Sequence, residues 1–329
     1  MNLRHLPHYL RLQAFDTGTE QGRADERYRR TLLTIMANVV SKGLAMLVMI
    51  LAVKLTLPYL GAERFGVWTT IASFAGMLSL LDLGVGNALI NHTALAASKG
   101  YQGPLQRAIC GGLGVMLLLG SMITILLTIL ANTLPWNTII KTSDPTLQQE
   151  IPLACTVFAI LFGLSLFTTG IQKVFTGLQS AYAGHLANAL GSSIAALGLI
   201  FATGHQAGIA TLLLITFGAQ TAAPLVLLPN LRRRGYLALT GIGTAITSEY
   251  RKLIQTSGMF FILQIGVMVG WGADQLIIAS VLGAMQVAAF SVTQRLFQFV
   301  SQPLGMVNTP LWSAYADAHA RGDNAFIQQ

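Results

Sequence analysis

The sequence predicts an all-α polytopic membrane protein of about eight transmembrane helices. Three observations predict it. Hydrophobic residues make up 53% of the 329-residue chain and charged residues only 10%, against about 25% charged in soluble domains. The apolar residues fall in long runs, several of them about 20 residues or more, enough for a helix to cross a bilayer. The basic residues, which give a net charge of +8, are unevenly shared between alternate connections. That excess sets topology first, so no nucleic-acid partner is expected.

Residues 1–30 form a basic cytoplasmic N-terminal tail carrying Arg4, Arg11, Arg23, Arg27, Arg29 and Arg30. Polar and rich in Arg, they do not read as a cleavable signal sequence, so the first membrane helix directs insertion. Residues 3–15 read either as an amphipathic surface segment interrupted by Pro7 or as disordered chain. The apolar hairpin 31–92 follows, with a polar break at GAERFG (61–66), and supplies two helices. Four more are expected at 108–132, 152–173, 181–203 and 208–229, completing a six-helix N-terminal lobe over residues 31–229. Residues 230–252 form a basic cytoplasmic inter-lobe loop, in which Arg232–Arg234 set topology and contact anionic lipid headgroups. Residues 253–329 hold two further helices, 253–280 and 287–311, and a tail.

Charge tests this count. With the N-terminus in the cytoplasm, 15 of the 20 Lys and Arg residues fall in cytoplasmic segments and only Arg64 and Lys141 in outer loops. That asymmetry fixes the expected orientation. Residues 59–68 (YLGAERFGVW) and 281–290 (VLGAMQVAAF) also align without gaps at an offset of 222. Leu60-Gly61-Ala62 falls on Leu282-Gly283-Ala284, and Trp68 on Phe290. The match predicts two homologous lobes in parallel orientation, with a site at their interface. The second lobe, 253–329, is then incomplete, and the chain reads as truncated after its eighth helix.

Four stretches carry a family resemblance: PYLGAERFGVW with LLDLGVGNAL, KVFTGLQSAYAG (173–184), ADQLIIASVLGAMQVAAFSVTQRL (273–296) and PLWSAYADAHARGD (310–323). Together they resemble the oligosaccharide flippases of the multidrug/oligosaccharidyl-lipid/polysaccharide exporter superfamily, over about residues 28–323. The resemblance implies alternating access in a bacterial inner membrane. It implies an undecaprenyl-pyrophosphate-linked oligosaccharide as substrate, for O-antigen or other polysaccharide synthesis, with other membrane proteins of polysaccharide assembly as further partners. No cofactor is implied.

Such a substrate needs cations facing a wet cavity, because an unpaired diphosphate in hydrocarbon is prohibitively costly. Lys42, Lys54 and Arg295 are the basic residues inside predicted helices. Lys42 and Lys54 are 12 residues apart, about 120° around a helix and about 18 Å along it, so they do not grip one phosphate. The bland alternative is ion pairing. Lys42 and Asp82 lie at equal distances from the hairpin tip, and Asp274 and Arg295 nearly so from residue 284. Two matched pairs leave Lys54 as the foremost binding candidate, and pairing coexists with binding if the pairs break between states. Asp82 and Asp274 are alternatively sites for a coupled proton or sodium ion. Asn38, Asn87 and Asn91 either join helices, the favoured reading, or bind sugar. Gln172, Gln179 and Gln264 are candidates for the cavity lining.

Other patterns point nowhere specific. Cys110 and Cys155 read as packing residues in apolar runs. Gly84 and Gly86 lack the strand–turn–helix context of a dinucleotide site. Gly266 and Gly270 read as a close helix contact. No nucleophile–base or metal constellation marks a catalytic centre, so no enzyme is expected. Three rivals remain: a cation-coupled drug exporter of the same superfamily, a polysaccharide polymerase or ligase, and a non-transporting scaffold. A polymerase or ligase would need an outer catalytic loop, whereas residues 133–151 offer one Lys, one Asp and one Glu.

Overall fold

The computed structural model describes residues 15–16, 19–78, 84–98, 102–140, 142, 144–237, 266, 273–298 and 300–301. Among them every regular element is a helix. The expectations at Asp82 and Gln264, and in the segments 3–14, 238–252 and 310–323, lie outside the described residues. The protein is an all-α polytopic membrane protein, with apolar helices long enough to span a bilayer.

The segment Glu20–Leu78 is helical throughout except at Gly61 (φ 75°, ψ 168°). It therefore forms two arms, α1 (20–60) and α2 (62–78). Two sequence expectations shift here. Helix α1 starts eleven residues earlier than the apolar run, because the charges of the expected tail satisfy one another along the helix. Glu26, only 4% exposed, accepts from Arg29 at 2.7 and 2.8 Å and from Arg30 at 2.8 Å. The expected six-residue break at 61–66 shrinks to one residue, since a single glycine takes up positive φ without steric cost.

The second arm is also not one helix. It ends at Leu78, and α3 runs Val85–Ser98 after Gly84 at φ 74°. Helix α4 is Gln102–Thr133, α5 the short turn Trp136–Ile139, α6 Pro145–Gly177 and α7 Ala181–Gly204. Helix α8 (209–233) is a composite: a π turn at Leu214–Gly218 and a 3-10 turn at Ala223–Leu227 interrupt it. Pro224 explains the second interruption, because it offers no N–H to the preceding turn. Helix α9 is Asp274–Val281, and α10 covers 284–298. Between them Gly283 has φ 93°. The aligned glycines of both LGA turns thus share the left-handed region.

Packing follows the apolar pattern. The α1–α2 hairpin packs most heavily on α7, and α4 on α6. Helices α4 and α6 touch backbone to backbone at Gly120 and Gly163, where a Cβ would meet the opposing carbonyl at 2.3–2.5 Å. The main core joins Phe65, Trp68 and Ile71 of α2 to Phe158 and Phe162 of α6, Leu199 of α7 and Val287 of α10. Phe158 lies 6.0 Å from Phe162 and 5.7 Å from Phe217, both stacked. Exposed Ile125, Leu126 and Ile129 on α4, and Leu197, Ile200 and Phe201 on α7, give the outside an apolar character suited to lipid. At the hairpin tip Arg64 forms an ion pair with Glu150 of α6.

Candidate functional site

Two adjoining cavities lie among these helices. The first, about 370 Å³, is polar and enclosed by α1, α6, α7 and α8. Its lining shows how the sequence builds it. Asn38, Ser41, Lys42 and Ala45 come from α1; Ser165, Thr168, Thr169 and Gln172 from α6; and His185, Asn188 and Ser192 from α7. The first two sets fall at i, i+3, i+4 and i+7 and the third at i, i+3 and i+7, so each forms one stripe on its helix. Gln172 and Asn188 clasp one another through both amides, at 3.0 and 3.2 Å. The hydroxyls of Ser165 and Thr168 bond back to their own helix.

The second cavity, about 380 Å³, lies where α10 meets the bundle. Arg295 and Gln298 of α10 face Val48, Met49 and Ala52 of α1, Trp68 and Ala72 of α2, and Thr216, Phe217 and Gln220 of α8. The two cavities share Ala45, Phe217 and Gln220 as a common wall. The irregular turns of α8 fall here. Pro224 deprives the Gln220 carbonyl of its regular helix partner, and π turns in helices are frequent at functional sites.

Arg295 is the cation of the second cavity. Its guanidinium carbon sits 5.5 Å from the centroid of Trp68 and 5.8 Å from that of Phe65, within the range of cation–π attraction. Its Nη1 donates to the Met49 carbonyl at 3.4 Å, a long contact that uses one of five N–H donors. The expected pair with Asp274 does not form: among the described residues no ion pair links them, and Asp274 is exposed at the start of α9. Matching depth along the chain does not control which way two side chains point, and Arg295 turns toward the aromatic rings of α2. Among the described residues no Asp or Glu lines either cavity.

The structure brings together three sequence candidates, Asn38, Lys42 and Gln172, and places Arg295 next door. Others stand apart. Lys54, the foremost sequence candidate, is exposed and lines neither cavity. Asn87 is exposed on α3, where it accepts from Lys173 Nζ at 3.4 Å. Asn91 is exposed on the same helix, and Gln179 occupies the α6–α7 turn at φ 55°. Sequence reading missed Asn188, His185, Gln220 and the hydroxyl residues of α6. Their signal was present as polar residues at three-to-four spacing inside apolar helices.

Three comparisons bear on this arrangement. The sequence profile of the polysaccharide biosynthesis protein family matches residues 28–314. Curated protein sequences gave no match. Among solved structures, the fold is similar to that of a multidrug resistance MATE family transporter of the MOP superfamily in an outward-facing conformation. The TM-score is 0.53 at 17% identity, covering 86% of this chain and 67% of that one. It is also similar to a MOP superfamily transporter from Pyrococcus furiosus Vc1, described as having a binding pocket of reverse polarity that suggests a different function. There the TM-score is 0.54 at 16% identity, covering 82% of this chain and 65% of that one. The chain thus spans about two thirds of each transporter's length.

Proposed function

The chain belongs to the polysaccharide biosynthesis protein family, and we propose that it is a flippase for undecaprenyl-pyrophosphate-linked oligosaccharides. It sits in a bacterial inner membrane with its N-terminus in the cytoplasm, and moves the repeat unit outward by alternating access. It works with anionic lipids and other membrane proteins of polysaccharide assembly. The observation that carries this reading is the charge of the paired cavities. Among the described residues they contain Arg295 and Lys42 and no carboxylate.

A cation-coupled drug exporter would call for the opposite polarity, since a buried positive charge repels an organic cation. The division between the cavities also fits the substrate. Hydroxyls and amides dominate the first, which suits sugar hydroxyls; an arginine among apolar walls dominates the second, which suits a diphosphate on a lipid chain. Protein of full chain length in lipid nanodiscs should bind undecaprenyl-pyrophosphate-linked oligosaccharide, and Arg295→Gln should weaken binding by about tenfold or more. Binding of organic cations instead, indifferent to Arg295→Gln, would overturn the proposal.

A further inference from the structure

The first cavity holds a cation that a diphosphate at Arg295 does not account for. Lys42 lies seven residues before Met49, whose carbonyl Arg295 touches. Seven residues are about two turns and about 10 Å along α1. A diphosphate, two phosphates joined through one oxygen, is shorter than that, so Lys42 and Arg295 mark two anion positions. Among the described residues no carboxylate lines the first cavity, and no carbonyl, hydroxyl or carboxylate accepts from the Lys42 ammonium. A cation within a spanning helix is costly without a counter-charge, and a ligand that brings the charge removes that cost.

Three further side chains gather beside Lys42. His185 of α7 opens on the same cavity, near enough for the Lys42 charge to act on its imidazole. Asn188 follows three residues later on the same face of α7. It is clasped to Gln172 of α6 at 3.0 and 3.2 Å, and Gln172 packs over the start of α7, where a Cβ on Gly184 would meet it at 3.5 Å. None of the four is buried, so each reaches the open space. The clasp uses one N–H of each amide and leaves the second. Among the described residues the imidazole also has no hydrogen bond. The neighbouring Ser165 and Thr168 hydroxyls donate to their own helix and so offer lone pairs. The cavity thus joins a donor-rich cationic corner to acceptors suited to sugar hydroxyls.

We infer that the first cavity takes an acidic sugar, a uronic acid whose carboxylate accepts from Lys42, with His185 and the Gln172–Asn188 clasp supplying further N–H groups to that sugar. The inference rests on the flippase reading and narrows its substrate to repeat units that carry a carboxylate near the diphosphate. A neutral sugar would leave Lys42 without its counter-charge.

The test uses the full chain in nanodiscs and two probes, undecaprenyl-pyrophosphate-linked disaccharides whose second sugar is glucuronic acid or glucose. The glucuronic acid probe should bind about fivefold more tightly. Lys42→Gln should remove that preference and leave the affinity for the glucose probe unchanged. Comparing the two probes needs only the wild type, so the test stands even if the variant does not fold. Equal binding of both probes by the wild type, or a preference that survives Lys42→Gln, overturns the inference; weakening of both by Arg295→Gln then leaves the flippase reading standing. Binding of neither probe by the wild type overturns both readings.

Discussion

Gly66→Ala tests whether the helix carrying Trp68 is held against the helix carrying Arg295. Gly66 is buried on α2, and a Cβ built there would lie 1.8 Å from the Ala284 carbonyl oxygen and 2.7 Å from its carbon. Real Cβ contacts are essentially never closer than 3.0 Å, so α2 and α10 must part by more than an ångström. Two effects oppose each other. Alanine favours a helix over glycine by about 1 kcal/mol, and a methyl group forced into a packed contact costs about 1–3 kcal/mol. Here the obstructing atoms belong to backbone, which relaxes poorly, so the steric cost wins.

If the contact defines one of two exchanging conformations, a penalty of about 1–3 kcal/mol changes their ratio by about 5–150-fold. Spin labels at the exposed positions Ala62 and Leu282, with Cys110 and Cys155 replaced by Ala, would report the separation of the hairpin tips by double electron–electron resonance. Gly66→Ala should broaden or lengthen the distance and weaken diphosphate binding, because α10 carries Arg295 away from the rest of the second cavity. An unchanged distance with a higher melting temperature would refute the reasoning, since that is what helix propensity alone predicts.

Two further outcomes follow from other contacts. The Arg29 and Arg30 side chains, with the Phe15 amide, hold the Glu26 carboxyl down to about 2 from its ordinary 4.5. A folded-state value below the free value stabilises at pH above 4.5, and that contribution is lost as pH falls toward 2. Hydrogen exchange over 20–30 should therefore speed up through that acid window in the wild type. Glu26→Gln should exchange faster already at pH 7, by about 2 kcal/mol of lost protection, and show little further change. Lys42→Gln should weaken binding of the lipid-linked oligosaccharide by up to about fivefold, less than Arg295→Gln, because Lys42 is exposed and better screened; equal losses in isothermal titration would contradict that ranking.

Much of the fold was legible because the bilayer imposes length and polarity on any crossing helix. The helix expected at 181–203 is observed at Ala181–Gly204. The LGA turns were legible too, since a glycine at each reversal is a local requirement. What local rules missed was set by neighbours. The start of α1 at Glu20 depends on charges that pair only once the helix exists. The break before Val85 and the π turn of α8 had no unambiguous local mark.

The same division holds for the site. The sequence by itself determined the class of molecule, its family likeness, and the short set of charges inside apolar helices from which a site could be drawn. It put Lys54 ahead of Lys42 and Arg295 on pairing along the chain alone, because spacing along a helix gives depth and rotation but not what faces each side chain. Only the tertiary structure decided that Lys54 stands outside the two cavities, that Arg295 turns to Phe65 and Trp68 rather than to Asp274, and that three polar stripes converge. The physical reason is that periodicity along one helix is a local property, whereas a cavity belongs to the packing of several.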